Sequence, residues 1–284
     1  MSQETQALAR LIAARGVASR RKAEELIFER SVTVDGEVAE HPAMQVDPSK
    51  QEIRVDGEPL PDAPPAMYYV FYKPRGCMTT RDDPQGRRSI FDVLPEMPHR
   101  VEAVGRLDFD TEGALLLTND GALANKLLHP STEIPKRYAV KVWKQPSERS
   151  LEMIRKGKVF LDDGRVPPSL VRVLDATDTG NTWLEITVTE GRNRLIRRLF
   201  AQLGHPVSKL RRETFATISI RGMQRGQVRP LTADEVRRLQ DLAAGRTPDT
   251  AGRVQHKKGW AKPKPRKTRP NQRRKSNAGN RGRR

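Results

Sequence analysis

Residues 59–67 read PLPDAPPAM, four prolines in nine positions. Proline locks φ, lacks an amide donor and turns the residue before it away from helical geometry, so neither a helix nor a central strand can run through this stretch. The segment suits an extended, semi-rigid spacer. The blocks on either side must therefore each bury a core of their own. At the far end, residues 253–284 hold 14 Lys or Arg, no Asp or Glu and almost no apolar side chains. Such a run cannot bury enough surface to order itself without a partner. The organisation expected is a small domain over 5–60, a linker over 61–67, a larger domain over 68–246 and a disordered basic tail over 247–284.

The formal net charge is +18, and the 14 cations of the tail leave only +4 for residues 1–252. A field of that sign draws polyanions, and a dense one-signed run is suited to phosphate backbones. No apolar run approaches the ~18 residues that would span a bilayer. The start, MSQETQALAR, lacks the apolar core of a signal peptide, and no lipidation motif is present. A cytoplasmic protein with no membrane partner is expected. A single cysteine, Cys77, rules out an internal disulfide and a cysteine-based zinc site. Nothing in the sequence requires more than a monomer.

In the first block, ALARLIAARG carries apolar residues at helical spacing and stops at Gly16. Ser19 is placed to cap a second helix, RRKAEELIFER, whose first turn holds Arg20, Arg21 and Lys22. Three cations there oppose the helix dipole, which suggests that the site receives an external anion such as a phosphate. SVTVDGEVAE and QEIRVDGEPL each place Asp-Gly between short alternating runs, the pattern of a hairpin. The run RGVASRRKAEELIFERSVTVDGEVA resembles an S4 domain, a small RNA-binding module with an αL-like fold. The resemblance implies that Arg20, Arg21 and Lys22 contact RNA.

The second block reads as strands at YYVFYKP, VEAVG, ALLLTND, KRYAVKVW, SLVRVLDA, TWLEITVTEG and KLRRETFATISI. Helices are expected at GALANKLLHP, capped by Asn119 or Asp120, and at SERSLEMIRKGK, RNRLIRRLFAQLG and TADEVRRLQDLAA. Many strands and few helices indicate an α+β domain with a mostly antiparallel sheet.

Within it, GRLDFDTEGALLLTNDG concentrates four carboxylates around a short apolar run in an otherwise basic chain. From spacing alone three readings stand: a metal site, a pair of turns around a buried strand, and an aspartate presented to nucleic acid. The metal reading is short of ligands, because neighbouring strand residues point to opposite faces and no histidine pair is near. Aspartate in turns is common, so spacing leaves Asp108 undecided.

Four stretches in order, FYKPRGCMTTRDDPQGRRSIFDVLP, VGRLDFDTEGALLLTNDG, KRYAVKV and EGRNRLIRRLFAQLGHPVSKLRR, resemble the pseudouridine synthases that modify single uridines of ribosomal RNA. An S4 domain ahead of the catalytic domain is also that family's arrangement. The resemblance implies that Asp108 is the catalytic aspartate and that Arg197 pairs with its carboxylate. It implies that Arg106 enters the RNA stack where the target base leaves, and that Tyr138 packs against the base. Asp110, Glu112 and Asp120 are left with turn and capping roles. Related enzymes commonly carry glutamine where this chain has Leu195.

Pseudouridine formation exchanges an N-glycosidic bond for a C-glycosidic one without net redox change, so neither a metal nor an organic cofactor is expected. A carboxylate nucleophile can hold the sugar or the base during the exchange, or the carboxylate can instead stabilise a glycal route; the residues leave all three open. A base inside a helix must be flipped to be reached. The exposed cations among Arg81, Arg87, Arg88, Arg192, Arg194, Arg198, Arg211 and Arg212 are assigned to phosphate contacts. The expected substrate is ribosomal RNA, and the basic C-terminal extension resembles the large-subunit (23S) members of the family. The alternatives are a small-subunit (16S) enzyme and a non-catalytic ribosome-assembly factor that binds RNA.

Overall fold

The computed structural model is described here over residues 5–176 and 180–246; the basic tail expected at 247–284 lies outside the described residues. The first block holds β1 (Gln6–Ala7), α1 (Leu8–Ala14), α2 (Arg20–Phe28), β2 (Val32–Val34), β3 (Glu37–Val38), β4 (Gln45–Val46), β5 (Ile53–Val55) and β6 (Glu58–Pro59). Strands β3-β2-β5-β6 form one antiparallel sheet in that order. Both Asp-Gly pairs turn with positive φ at each residue (52° and 87° at Asp35-Gly36, 51° and 82° at Asp56-Gly57). That is the geometry of a two-residue turn whose twist matches its strands. Leu8, Leu11, Ile12, Ala23, Ile27, Val32, Val46 and Ile53 bury against one another in a cluster separate from the two cores of the second block.

The second block runs β7 (Tyr68–Lys73), β8 (Glu102–Val104), β9 (Glu112–Thr118), α3 (Gly121–Leu128), β10 (Lys136–Val142), α4 (Glu148–Arg155), β11 (Phe160–Leu161), β12 (Gly164–Arg165), β13 (Leu170–Ala176), β14 (Thr182–Val188), α5 (Leu195–Gln202), β15 (Val207–Phe215), β16 (Ile218–Ser219), β17 (Val228–Pro230) and α6 (Ala233–Ala243). The main sheet follows the order β13-β14-β10-β15-β9-β7-β17, with β8 and β16 paired at its side. Asp120 caps α3, accepting from the amides of Ala122 and Leu123 through one oxygen and from the Tyr68 hydroxyl through the other.

The apolar run ALLL is explained by the position of β9. Leu115 and Leu117 pack into a core with Phe71, Val140, Ile186, Leu199 and Phe200, while Ala114 and Leu116 pack into a second core with Val70, Leu123, Phe215 and Leu239. A strand covered on both faces reads as a continuous apolar stretch. Strand β14 is covered on one face only and alternates along its whole length.

Two features depart from expectation. The helix expected from Arg192 begins only at Leu195, because Arg194 stands at the cap in the left-handed region, with φ 47° and ψ 30°. The sheet is antiparallel except at one seam, where β9 and β15 run parallel through two residue pairs, Arg211 with Glu112 and Arg212 with Gly113. Gly113 sits there at φ +122°, and a Cβ on it would lie 2.2 Å from the Arg212 carbonyl oxygen. Only glycine admits that approach.

Gly113→Ala should therefore lower stability by about 3 kcal/mol or more, through a backbone clash and an unfavourable φ acting together. Chemical denaturation measures it, and a midpoint equal to the parent's would contradict the seam geometry.

Candidate active site

The segment between β8 and β9 carries Arg106, Asp108 and Asp110 and is pinned from β7 and the loop after it. Lys73, the last residue of β7, is fully buried. Its ammonium donates to the carbonyls of Pro74 at 3.1 Å, Asp108 at 3.1 Å and Thr111 at 3.0 Å. An ammonium has three donors, and all three are used. Burial pushes the Lys73 pKa down, against the pull of Cys77, Asp108 and Asp110. Thr79 adds a second clamp: its hydroxyl donates to the Leu107 carbonyl at 2.8 Å and accepts from the Leu107 amide at 3.2 Å. The Gly76 amide donates to the Phe109 carbonyl, and the Thr111 amide closes the turn onto the Asp108 carbonyl. The backbone on both sides of Asp108 is thus held while its carboxylate stays about one-third exposed (32%).

Two arginines from the start of α5 meet this turn. Arg194 Nη1 stands 3.9 Å from Asp108 Oδ2 and 3.7 Å from Asp110 Oδ1. Arg197, only 12% exposed, brings Nη2 to 3.0 Å from Asp110 Oδ2. It also donates to the carbonyls of Asp110 and Val207 at 3.3 Å and 3.4 Å. Asp110 lies in the turn, as expected, and is an ion-pair partner as well: the guanidinium of Arg197 rests on it instead of on Asp108. The reason is local: residues 108–111 form a turn, where strand alternation does not apply, so both carboxylates face α5. Burial lowers the Arg197 pKa, while Asp110 and, more weakly, Asp108 oppose the shift.

Tyr138, on β10, is 9% exposed and belongs to the same buried cluster as Leu107, Leu195 and Ile196, the neighbours of Asp108 and Arg197 in sequence. Arg106 is exposed and makes no ion pair or hydrogen bond among the described residues. Arg20, Arg21 and Lys22 are exposed at the start of α2, in a different cluster of the fold. Ser19 caps that helix through the Lys22 amide. Arg20 lies 3.7 Å from Glu24, and Lys22 3.1 Å from Glu25, so acids one turn on offset part of the charge opposing the dipole. Glu112 pairs with Arg225, an ion-pair role rather than a turn role.

Several other arginines have internal work. Arg198 pairs with Asp162 and Asp163, and Arg192 with Asp163 and Glu190, which ties α5 to the hairpin of β11 and β12. Arg212 is buried and donates to the Ala114 carbonyl across the seam. Arg81 pairs with Glu102 and stacks on Phe91, and Arg87 pairs with Asp83. Sequence reasoning missed Lys73, Thr79 and Arg194 as parts of the site. The lysine closing the apolar run YYVFYK was the available signal; Thr79 offered none.

Residues 67–202 match the RNA pseudouridylate synthase family and residues 8–53 match the S4 domain. The chain belongs to the RNA pseudouridylate synthase family, enzymes that isomerise uridine in RNA. It is 43% identical to ribosomal large subunit pseudouridine synthase B of Bacillus subtilis (strain 168), over 83% of this chain and 96% of that protein. It is 38% identical to the protein of the same name from Pasteurella multocida (strain Pm70), over 84% and 70% of the two chains. A crystal structure of a pseudouridylate synthase superposes with a TM-score of 0.59 at 26% identity, covering 82% of this chain and 99% of that one.

Lys73→Met leaves three inward carbonyls without their donor. It should cost about 3 kcal/mol of stability and slow uridine modification about 100-fold, read by denaturation and by single-turnover assay. Modification at the parent rate would contradict the clamp. Lys136, two residues before Tyr138, donates to the carbonyls of Ile134 and Thr189, and burial brings its pKa down to about 8. The folded chain sheds this proton before the unfolded chain does, so between pH ~8 and ~10.5 the unfolded state binds more protons and stability rises with pH. The stability difference between the parent and Lys136→Met should shift in the parent's favour across that window. A difference that stays flat would contradict the assignment.

Proposed function

We propose that this protein converts a uridine of large-subunit (23S) ribosomal RNA to pseudouridine, with Asp108 as the catalytic carboxylate. The observation that carries the reading is a solvent-reachable Asp108 on a backbone clamped from both sides, with the guanidinium of Arg194 at 3.9 Å and Arg197 on the adjoining carboxylate. A carboxylate held at a fixed main chain and open to solvent is placed to act as a nucleophile. The relatives named for the large-subunit reaction support the choice of RNA.

In the proposed course the uridine leaves its stack and Arg106, exposed and uncommitted, fills the vacancy. Tyr138 packs against the uracil, which offsets part of the few kcal/mol that flipping costs. The bond from N1 to C1′ breaks, the uracil turns, and C5 bonds to C1′. C5 then releases its hydrogen as a proton and N1 ends protonated, so atoms and charge balance without an external reagent. Arg197 acts through Asp110 and the turn, holding both carboxylates in place. Arg20, Arg21 and Lys22 of the S4 domain bind RNA away from the reacting base. The protein works as a cytoplasmic monomer on ribosomal RNA or an assembly intermediate; among the described residues no helix is long and apolar enough to cross a membrane.

Incubation with unmodified 23S and 16S transcripts, followed by chemical mapping of pseudouridine, tests this. One modified uridine in 23S RNA is expected. Asp108→Asn should abolish it while RNA affinity stays within about twofold, since the carboxylate makes no attractive contribution to polyanion binding. Modification that survives in the variant would overturn the catalytic role, and modification of 16S RNA alone would overturn the choice of subunit.

A further inference from the structure

Where β9 and β15 part, below their two-residue seam, a cavity of about 360 Å³ opens between Pro74, Arg75, Glu112, Lys209, Leu210 and Arg225. It adjoins the catalytic turn on two sides. Glu112 follows Thr111 directly, and the Gly76 amide next to Arg75 donates 2.8 Å to the carbonyl of Phe109.

Three of the six lining residues are cations, and the single carboxylate is already spoken for. Arg225 grips Glu112 with two nitrogens, at 2.8 Å and 3.2 Å, which orients the guanidinium and leaves three of its five donors unused by that pair. The side chains of Arg75 and Lys209 are exposed and make no ion pair or hydrogen bond among the described residues. Lys209 also stands directly opposite Lys141 in the ladder of β10 and β15. Like charges in that position are unfavourable unless an anion lies near them. The excess of two positive charges at the cavity is thus oriented by Arg225 and uncompensated at Arg75 and Lys209.

We propose that this cavity seats a backbone phosphate of the RNA strand carrying the target uridine, held by Arg75, Lys209 and donors of Arg225 that Glu112 does not use. A phosphodiester supplies two charged oxygens that a guanidinium fork matches, whereas an uncharged base would leave the cations unanswered. Beside the turn of Asp108, such a contact fixes the strand's register without reading its sequence. The inference rests on the RNA-modifying reading above and adds where the strand is held.

The test compares the parent, Arg75→Ala/Lys209→Ala, the charge-keeping Arg75→Lys/Lys209→Arg, and a control pair, Arg149→Ala/Lys158→Ala. The control removes the same charge from two exposed cations outside the cavity. Binding to a 23S transcript is measured from about 50 to 200 mM salt, and modification is followed at saturating RNA. The cavity pair should bind about tenfold more weakly near 0.1 M salt, with the log–log salt slope shallower by about one. The charge-keeping pair should regain most of the affinity, and the control pair should lose less than about twofold. An unchanged slope, or an equal loss in the control pair, overturns the phosphate seat. A parent that binds but modifies no uridine would instead overturn the proposed function, and the binding comparison would still decide the cavity.

Discussion

The ammonium of Lys73 is cut off from water and spends every donor on backbone carbonyls, two of them belonging to the turn of Asp108. A buried charge is costly unless it is fully answered, and a turn with inward carbonyls is costly unless they are. Each offsets the other here, so the end of β7 and the turn before β9 hold together as a unit. Thr79 closes the same turn from the opposite side through Leu107. The clamps hold the backbone of Asp108 and leave its carboxylate open to solvent. Side-chain chemistry at a fixed main chain is what an aspartate nucleophile requires.

The second dependency is the seam. One part of the sheet supplies the turn of Asp108 and Asp110; the other supplies β15 and α5, with Arg194 and Arg197. They join through two pairs, at a glycine that no other residue can replace without displacing the Arg212 carbonyl. Arg212 is buried across the join and bonds the Ala114 carbonyl. The close approach at Gly113 brings the start of α5 to the carboxylates. The parting of the strands on the near side leaves the cationic cavity beside them. Site and proposed phosphate seat are consequences of one junction.

Much of this was legible in the residues because the determinants were local. The Asp-Gly turns, the Ser19 and Asp120 caps and the doubly covered ALLL strand each follow from a few adjacent side chains. Asp108 itself was undecided by spacing and came forward only through the resemblance of the surrounding motifs. The partners of the charges were not legible, because they are set by distant chain. Arg198 and Arg192 answer acids in a hairpin some thirty residues away, and Arg197 meets Asp110 from 87 positions along the sequence. The left-handed residue at Arg194 was hidden because the helical pattern of its neighbours continues through it. Which arginines of the basic segments are exposed and which are paired inside the fold was therefore not legible, and Arg75 and Lys209 went unnoticed.

The most direct measurement is a crystal structure of the protein bound to an rRNA stem-loop carrying 5-fluorouridine at the modified position. The expected result is that nucleotide turned out of its stack, with its reacting ring against the carboxylate of Asp108 and the side chain of Arg106 in the space it left. A target nucleotide still stacked in the helix, or lodged away from the Asp108 turn, would contradict the central claim.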